Sequence, residues 1–317
     1  MDGKNNFITF FQSAEYVKKH LESRYKENNI PNATELAYKN GFSLVYYIKM
    51  GESFFMQGKE VPVSIKPVLY YYGLSNWLKG VLLTHDPFYP STTQVLAHGV
   101  SARKRKKQGY CFLNDEIKVQ KDGFFPCISE KIFNIKQVTG EKYKMRHLLM
   151  RIPELNPLFT ELETEKPLVP AVLDSDGSVV VPLKLLERLN LTISKYEKIL
   201  SDHTGSDVHC IADKGEVKIL NGKVDLHQLP VYKSLDQLLY IPALLPLYNK
   251  LPEVLSHFLV LFNLSMICRY ETEWWGEVLY SFSSNDKPFI EYFLDITAQK
   301  APRLLETMFF PDKEHNR

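Results

Sequence analysis

Between Tyr70 and Leu83 the apolar side chains return at helical spacing rather than alternating. At about 100° per residue, Tyr70, Tyr71, Leu74, Trp77, Leu78, Val81 and Leu82 fall on one broad arc, and Tyr72, Ser75, Asn76 and Lys79 gather on the opposite side. Such an arc has to be buried, so the pattern predicts a central core helix; a pocket lined by Tyr72, Asn76 and Lys79 is the functional alternative. Gly73 and Gly80, seven apart at one margin, each cost about 1 kcal/mol against alanine inside a helix. Their presence points to a second backbone packed close by.

The same periodicity predicts further helices. Residues 13–28 read as a charged amphipathic helix ended before Pro31, and Asn32-Ala33-Thr34-Glu35 offers a capping box opening a long helix with Leu36, Tyr46, Tyr47, Phe54 and Phe55. Gly41 and Gly51 are its candidate interruptions. Shorter helices are expected at 129–137 and 142–150, and 182–200 carries Leu183, Leu186, Leu189 and Ile193 in one stripe. Residues 234–310 read as helical throughout, punctuated by prolines. Within them Val254 to Cys268 is the most apolar segment of the chain; it is too short to span a bilayer and holds His257 and Asn263, so it is expected as a core helix.

Strand signals are confined to the middle of the chain. Residues 116–120 alternate, with Lys121-Asp122-Gly123 as a hairpin turn, and 168–173, 178–181, 208–211, 216–220 and 223–226 follow, Asn221-Gly222 being the strongest hairpin signal. The expected fold class is therefore α+β, predominantly helical, with a small antiparallel sheet. Three regions are expected, 1–110 helical with a basic corner, 111–232 mixed and 233–317 helical, which can also pack as one domain.

The densest chemistry follows the core helix. Two prolines in His85-Asp86-Pro87-Phe88-Tyr89-Pro90 end that helix in a turn. Ser91 with Gln94 reads as a capping box for a short helix closed by Gly99, which puts His98 in a last turn favoured by the helix dipole. Arg103, Lys104, Arg105, Lys106 and Lys107 come next. Five like charges usually form a solvated loop; as a site they would bind phosphate groups, with Tyr110 and Phe112 as stacking faces. Near the other end, Arg269 precedes Glu271, Glu273, Trp274 and Trp275. It ties down helix carbonyls or pairs with a glutamate, or it anchors a carboxylate or phosphate with Trp274 as a contact surface.

Composition narrows this picture. The net charge of +2, from 39 basic and 37 acidic residues, gives no global nucleic-acid signature, so polyanion binding would have to come from local clustering. The 44% hydrophobic content is that of an ordered soluble protein. Cys111, Cys127, Cys210 and Cys268 form no C-x-x-C pair, which fits a reducing cytosol better than a zinc ribbon or a disulfide scaffold. The N-terminal MDGKNNFITFFQ lacks the basic and apolar regions of a secretory signal. Phosphate-loop, dinucleotide, nucleophile-elbow and zincin motifs are absent. His203, Asp207, His209 and Cys210 could in principle hold a metal, but read more simply as a turn and a strand. No metal and no cofactor is expected.

The segments 66–83, 95–110, Asp115 to Gly123 (DEIKVQKDG) and Leu264 to Gly276 (LSMICRYETEWWG) make the chain resemble the YaaC-like family of bacterial cytosolic proteins over nearly its whole length. The resemblance implies no reaction, since no catalytic residues are agreed for the family. Its members are often encoded beside the gene for IMP dehydrogenase, which implies purine metabolism as the setting and that enzyme as a candidate partner. The aromatic helix and His-Gly corner are also similar to HEPN-type helical domains, but the Arg and His spacing of their nucleases is missing. The expectation is a non-enzymatic interaction or regulatory protein that binds a partner or a phosphate-bearing ligand through His98, Arg103 to Lys107, Tyr110, Arg269 and Trp274. The alternatives are an enzyme acting on RNA or a nucleotide, with His98 as general acid or base and Arg103 or Arg105 on the phosphate, and a plain nucleic-acid binder.

Overall fold

The structure is a computed structural model that describes residues 6–102, 110–220, 226–281 and 284–311. Twelve α-helices and two antiparallel sheets make these residues α+β and predominantly helical. The chain divides into two compact units, Met1–Met145 with His257–Arg317, and Arg146–Ser256.

The first unit begins with α1 (Asn6–Phe10), α2 (Ala14–Glu27), α3 (Ala33–Glu60) and α4 (Lys66–His85). Ser13 Oγ caps α2 by accepting from the Tyr16 amide at 3.3 Å. The predicted capping box of α3 does not form: Asn32 stands in the left-handed region (φ 57°), outside the extended geometry a side-chain cap needs, and makes no cap bond. Nor do Gly41 and Gly51 interrupt α3, which runs unbroken for 28 residues, about 42 Å. Its glycines face neighbouring helices instead. A Cβ on Gly51 would lie 2.2 Å from the Trp77 ring and one on Gly58 2.4 Å from Tyr70, while a Cβ on Gly73 would lie 2.5 Å from Phe55. Rings of each helix thus enter glycine gaps of the other, and what lies against Gly73 and Gly80 is side chain, the Phe55 ring at the first and Leu44, Ile48 and Phe309 at the second, rather than the close backbone expected there. Phe55 stacks on Trp77 at 4.3 Å, and the Trp77 indole N–H donates to the Ile48 carbonyl at 3.1 Å.

The turn after α4 is tied to the bundle: Asn40 Nδ2 donates to the Pro87 carbonyl at 2.8 Å, and the Tyr25 hydroxyl donates to the Leu83 carbonyl at 2.9 Å. The Tyr89–Pro90 peptide is cis. Beyond it lies β1 (Val100–Ala102), then β2 (Glu116–Val119), α5 (Phe124–Phe133) and β3 (Lys142–Lys144), the strands forming a sheet in the order β1-β2-β3. Two expectations are corrected here. The helix predicted from Ser91 to Gly99 is only a 3-10 turn at Gln94–Leu96, and Lys121-Asp122-Gly123 leads into α5 rather than a hairpin. One contact explains both. The Ala97 and His98 carbonyls accept from the Phe124 and Phe125 amides at 2.7 and 3.1 Å, so they satisfy the free N–H groups of α5 instead of extending a helix of their own. This approach needs two glycines: a Cβ on Gly123 would sit 2.3 Å from Gly99 Cα, and both residues have positive φ. The helix expected at 129–137 accordingly starts earlier and ends at Asn134, which is left-handed.

The second unit holds α6 (Met145–Leu149), whose first residue belongs to the first unit, then α7 (Asn156–Glu163), β4 (Leu168–Leu173), β5 (Val179–Pro182), α8 (Lys184–Leu189), α9 (Ile193–Thr204), β6 (Cys210–Asp213), β7 (Glu216–Ile219), β8 (Tyr232–Lys233) and β9 (Leu239–Pro242). The strands form a six-stranded antiparallel sheet in the order β6-β7-β5-β4-β9-β8, with Val179, Val181, Val217 and Ile219 buried against Leu185, Leu189, Tyr196 and Leu200. The long helix predicted over 182–200 is two helices, because left-handed Asn190 ends α8 and Thr192 caps α9. β9 replaces the helix expected at the start of the 234–310 stretch, since Leu239 to Pro242 finds an open edge on β4. The helix expected over 142–150 is β3 followed by α6. Asn221 to Asp225, with the predicted hairpin, lie outside the described residues. Arg151, 1% exposed, donates to the Leu247 carbonyl at 2.8 Å, to the Tyr232 hydroxyl at 2.5 Å and to Asn249 Oδ1.

The chain ends in α10 (Glu253–Tyr270), α11 (Thr272–Tyr280) and α12 (Asp286–Phe309). α10 is buried along most of its length, as its apolar run predicts, and His257 is accommodated by Thr297 Oγ1, 2.8 Å from Nδ1. Among the described residues no helix is long and apolar enough to cross a membrane.

Gly51→Ala is expected to destabilise the protein by about 2 kcal/mol or more, because the Trp77 ring cannot retreat from a well-packed interface. Gly276→Ala, where an added Cβ meets nothing within 4 Å, is expected to stabilise it by about 0.5–1 kcal/mol. Urea unfolding of the two variants tests the pair, and equal midpoints would refute the packing argument.

Candidate anion site

His98 is carried by the corner that docks on α5, so its backbone position is set by the Gly99–Gly123 approach. Tyr71 Oη lies 2.6 Å from His98 Nδ1. Although His98 is exposed as a residue, its ring lies against Tyr71 and Phe262, with centroids 5.5 and 5.3 Å away. This local burial lowers the His98 pKa, and the positive charges of Arg269 and Lys79 lower it further. Burial likewise raises the Tyr71 phenol well above its usual range.

Arg269 ends α10. Its Nε donates to the Ser265 carbonyl at 3.0 Å, and its Nη1 lies 3.4 Å from the Tyr72 hydroxyl. The carbonyl tie is one of the roles expected for it; the ion pair with Glu271 or Glu273 is not formed. Among the described residues neither Arg269 nor Lys79 has a carboxylate within ion-pair distance, whereas Lys66 pairs with Asp295 and Lys131 with Asp86 in the same unit. Lys79 is half-buried, and burial lowers its pKa. Arg269 and Lys79 thus both oppose protonation of His98, and Arg269 stands beside the half-buried Tyr72 ring.

Tyr110 and Trp274 meet edge to face at 4.4 Å, and the Tyr110 hydroxyl donates to Asp115 Oδ2. Burial and the Asp115 charge raise this phenol strongly. Asp115 also accepts from Asn263 Nδ2 at 2.9 Å, while Asp286 accepts from the Phe112 amide at 2.9 Å and faces Cys111 Sγ at 3.5 Å. The chain following the basic block is thus anchored to α10, α11 and α12. Phe112 is fully buried and offers no stacking face. Arg103, Lys104, Arg105, Lys106 and Lys107 lie outside the described residues.

In the second unit His203 Nδ1 contacts the Tyr248 carbonyl at 2.8 Å, and the Cys210 backbone amide donates to Glu197 at 2.8 Å. Among the described residues no group of three or more His, Cys, Asp or Glu side chains gathers as metal ligands. Sequence reasoning passes over Tyr71, Asp115 and Asp286. Tyr71 reads as core by its position on the arc, and no local pattern marks the two aspartates as buried.

Fold and site together define a predominantly helical α+β protein with a cationic corner on its first unit. The chain belongs to the YaaC-like protein family, whose model matches residues 9–309. No curated protein and no solved structure matches it.

Burial and the Asp286 charge raise the Cys111 thiol pKa. Asp286→Asn removes that charge while keeping an acceptor for Phe112, so alkylation of Cys111 by iodoacetamide at neutral pH is expected to quicken about threefold or more. Site-resolved mass spectrometry reads the rate; an unchanged rate would contradict the contact.

Proposed function

We propose that this chain is a cytosolic, non-enzymatic interaction or regulatory protein that binds a phosphate-bearing ligand through the corner formed by His98, Lys79, Arg269 and Tyr72. The observation that carries this reading is that His98 lies against Tyr71 and Arg269 against Tyr72, neighbours on α4, while neither Arg269 nor Lys79 has a carboxylate partner among the described residues. Half-buried like charges repel and are costly unless something neutralises them, and a phosphate supplies both the charge and the acceptor oxygens that Arg and Lys donate to. The basic block Arg103 to Lys107 adds long-range attraction. Tyr110 and Trp274 make the chain's return from that block a fixed surface for a protein partner, with IMP dehydrogenase and purine metabolism as the partner and setting that the family resemblance suggests.

Binding is favoured over catalysis by the company His98 keeps. Its Nδ1 faces a phenol rather than a carboxylate, and two cations oppose its protonation, so it is a poor base and a suitable neutral donor.

Calorimetric titration with inorganic phosphate tests the reading. Arg269→Gln and Lys79→Gln are each expected to weaken binding about tenfold or more, with thermal midpoints near that of the parent protein. Wild-type affinity should fall with added salt. Unchanged affinity in the double variant would remove the site, and replacement of Arg103 to Lys107 by serine measures the share of the basic block.

A further inference from the structure

α3 packs inward on α2 and α4 through Ala37, Leu44, Ile48, Gly51, Phe55 and Gly58, all of them buried. On the opposite side of the helix, Tyr38, Phe42, Tyr46, Met50 and Met56 fall within one arc of about 120° at helical spacing. Each is between 47% and 69% exposed. The Phe42 and Tyr46 rings stack at 6.4 Å, and Lys18 of α2 sits over the Tyr38 ring at 4.1 Å. From Tyr38 to Met56 the stripe runs about 27 Å along the helix. An aromatic side chain presents about 150–250 Å², so five large side chains left roughly half to two-thirds exposed offer about 500 Å². On a single chain, an apolar patch of that size marks an interaction surface.

We propose that α3 is the core of a symmetric dimer, in which the face from Tyr38 to Met56 packs antiparallel on the same face of a second copy of this chain, with the two-fold axis at Tyr46. Charge selects a second copy: α3 carries Lys39, Lys49 and Lys59 against Glu35, Glu52 and Glu60, so the helix is neutral and favours neither an acidic nor a basic partner. Area agrees. Two copies would bury about 1,000 Å² from these five side chains alone, the size at which specific interfaces begin. The stems of Lys39 and Lys49, which lie within the arc, add to it while their ammonium groups reach the rim. The pattern is also self-complementary. Tyr46 stands at its middle, and antiparallel pairing about it sets Phe42, four residues before, against Met50, four after, and Tyr38 towards Met56. Aromatic rings of one copy then meet thioethers of the other, a favourable pairing, and a shallow crossing of about 20° keeps the contacts along the stripe. A parallel pairing would instead set Lys39 on Lys39 and Lys49 on Lys49, which like-charge repulsion opposes.

Sedimentation velocity on the full chain at up to about 100 μM is expected to show a species of twice the mass of one chain. Tyr46→Glu places two carboxylates at the axis and should raise the dimer dissociation constant about 100-fold or more, with an unchanged circular dichroism spectrum. Tyr280→Glu, at an exposed ring outside α3, should leave the constant unchanged. Tyr46→Lys should also be monomeric, and mixing it with Tyr46→Glu should restore a dimer that salt weakens. Tyr38→Cys and Met56→Cys proteins, mixed, should form a disulfide between copies that neither forms alone. A wild type that stays monomeric over the whole range, or a dimer that tolerates Tyr46→Glu as well as Tyr280→Glu, overturns the proposal. Failure of the mixture to dimerise, or Tyr38→Cys linking to itself, overturns the antiparallel two-fold. A monomer that sediments with phosphatidylserine vesicles instead gives the face to a membrane surface and overturns the dimer.

Discussion

The close packing of α3 against α4 is the constraint on which the first unit depends. Trp77 and Tyr70 fill the spaces left by Gly51 and Gly58, and Phe55 fills that left by Gly73, so the register of the two helices is set at three points. Glycines inside helices cost about 1 kcal/mol each. Fully burying an aromatic side chain contributes about 2–3 kcal/mol, and ring pairing adds about 0.5–1.5 kcal/mol. The exchange favours contact, and any slip of one helix along the other would drive rings into backbone. With α4 held in this way, Tyr71, Tyr72 and Lys79 stand in fixed relation to α10.

A second backbone contact completes the corner. The close approach of Gly99 and Gly123 lets the Ala97 and His98 carbonyls occupy the amides that open α5, which places the imidazole against Tyr71 and Phe262 instead of on a free loop. The electrostatic character follows from what surrounds it. Arg146 in the second unit is neutralised by Glu163 and Glu165, and Arg151 is enclosed by carbonyl and amide oxygens and a phenol. Lys79 and Arg269 have no such acid among the described residues. Both cations lower the His98 pKa, so the imidazole stands in a field that opposes its protonation.

The helical character of the chain, the burial of α10 and the core role of α4 are legible in periodicity because burial of an apolar face repeats every turn whatever lies against it. The candidate site is legible only in part. His98 and Arg269 draw notice as a histidine at a glycine corner and an arginine at a helix end, and Lys79 by its place on the polar edge of α4. Three of the misread segments share one cause. The short helix expected before Gly99, the hairpin at Gly123 and the helix at Leu239 to Pro242 are each decided by a distant partner, respectively α5, the His98 corner and the β4 edge, and no local pattern carries that information.

The sequence by itself therefore determined the class of fold and the helix that lies in the core of its first unit. It also determined which cations are available. Only the tertiary structure decided that Tyr71 is a partner of His98 as well as a core residue, that Asp115 and Asp286 are spent on anchoring the chain after the basic block, and that Lys79 and Arg269 lack an acid among the described residues. The physical reason is range: periodicity records whether a side chain must leave water, whereas hydrogen-bond partners and charge balance depend on which segments meet, and that is settled by backbone contacts between residues far apart in the chain.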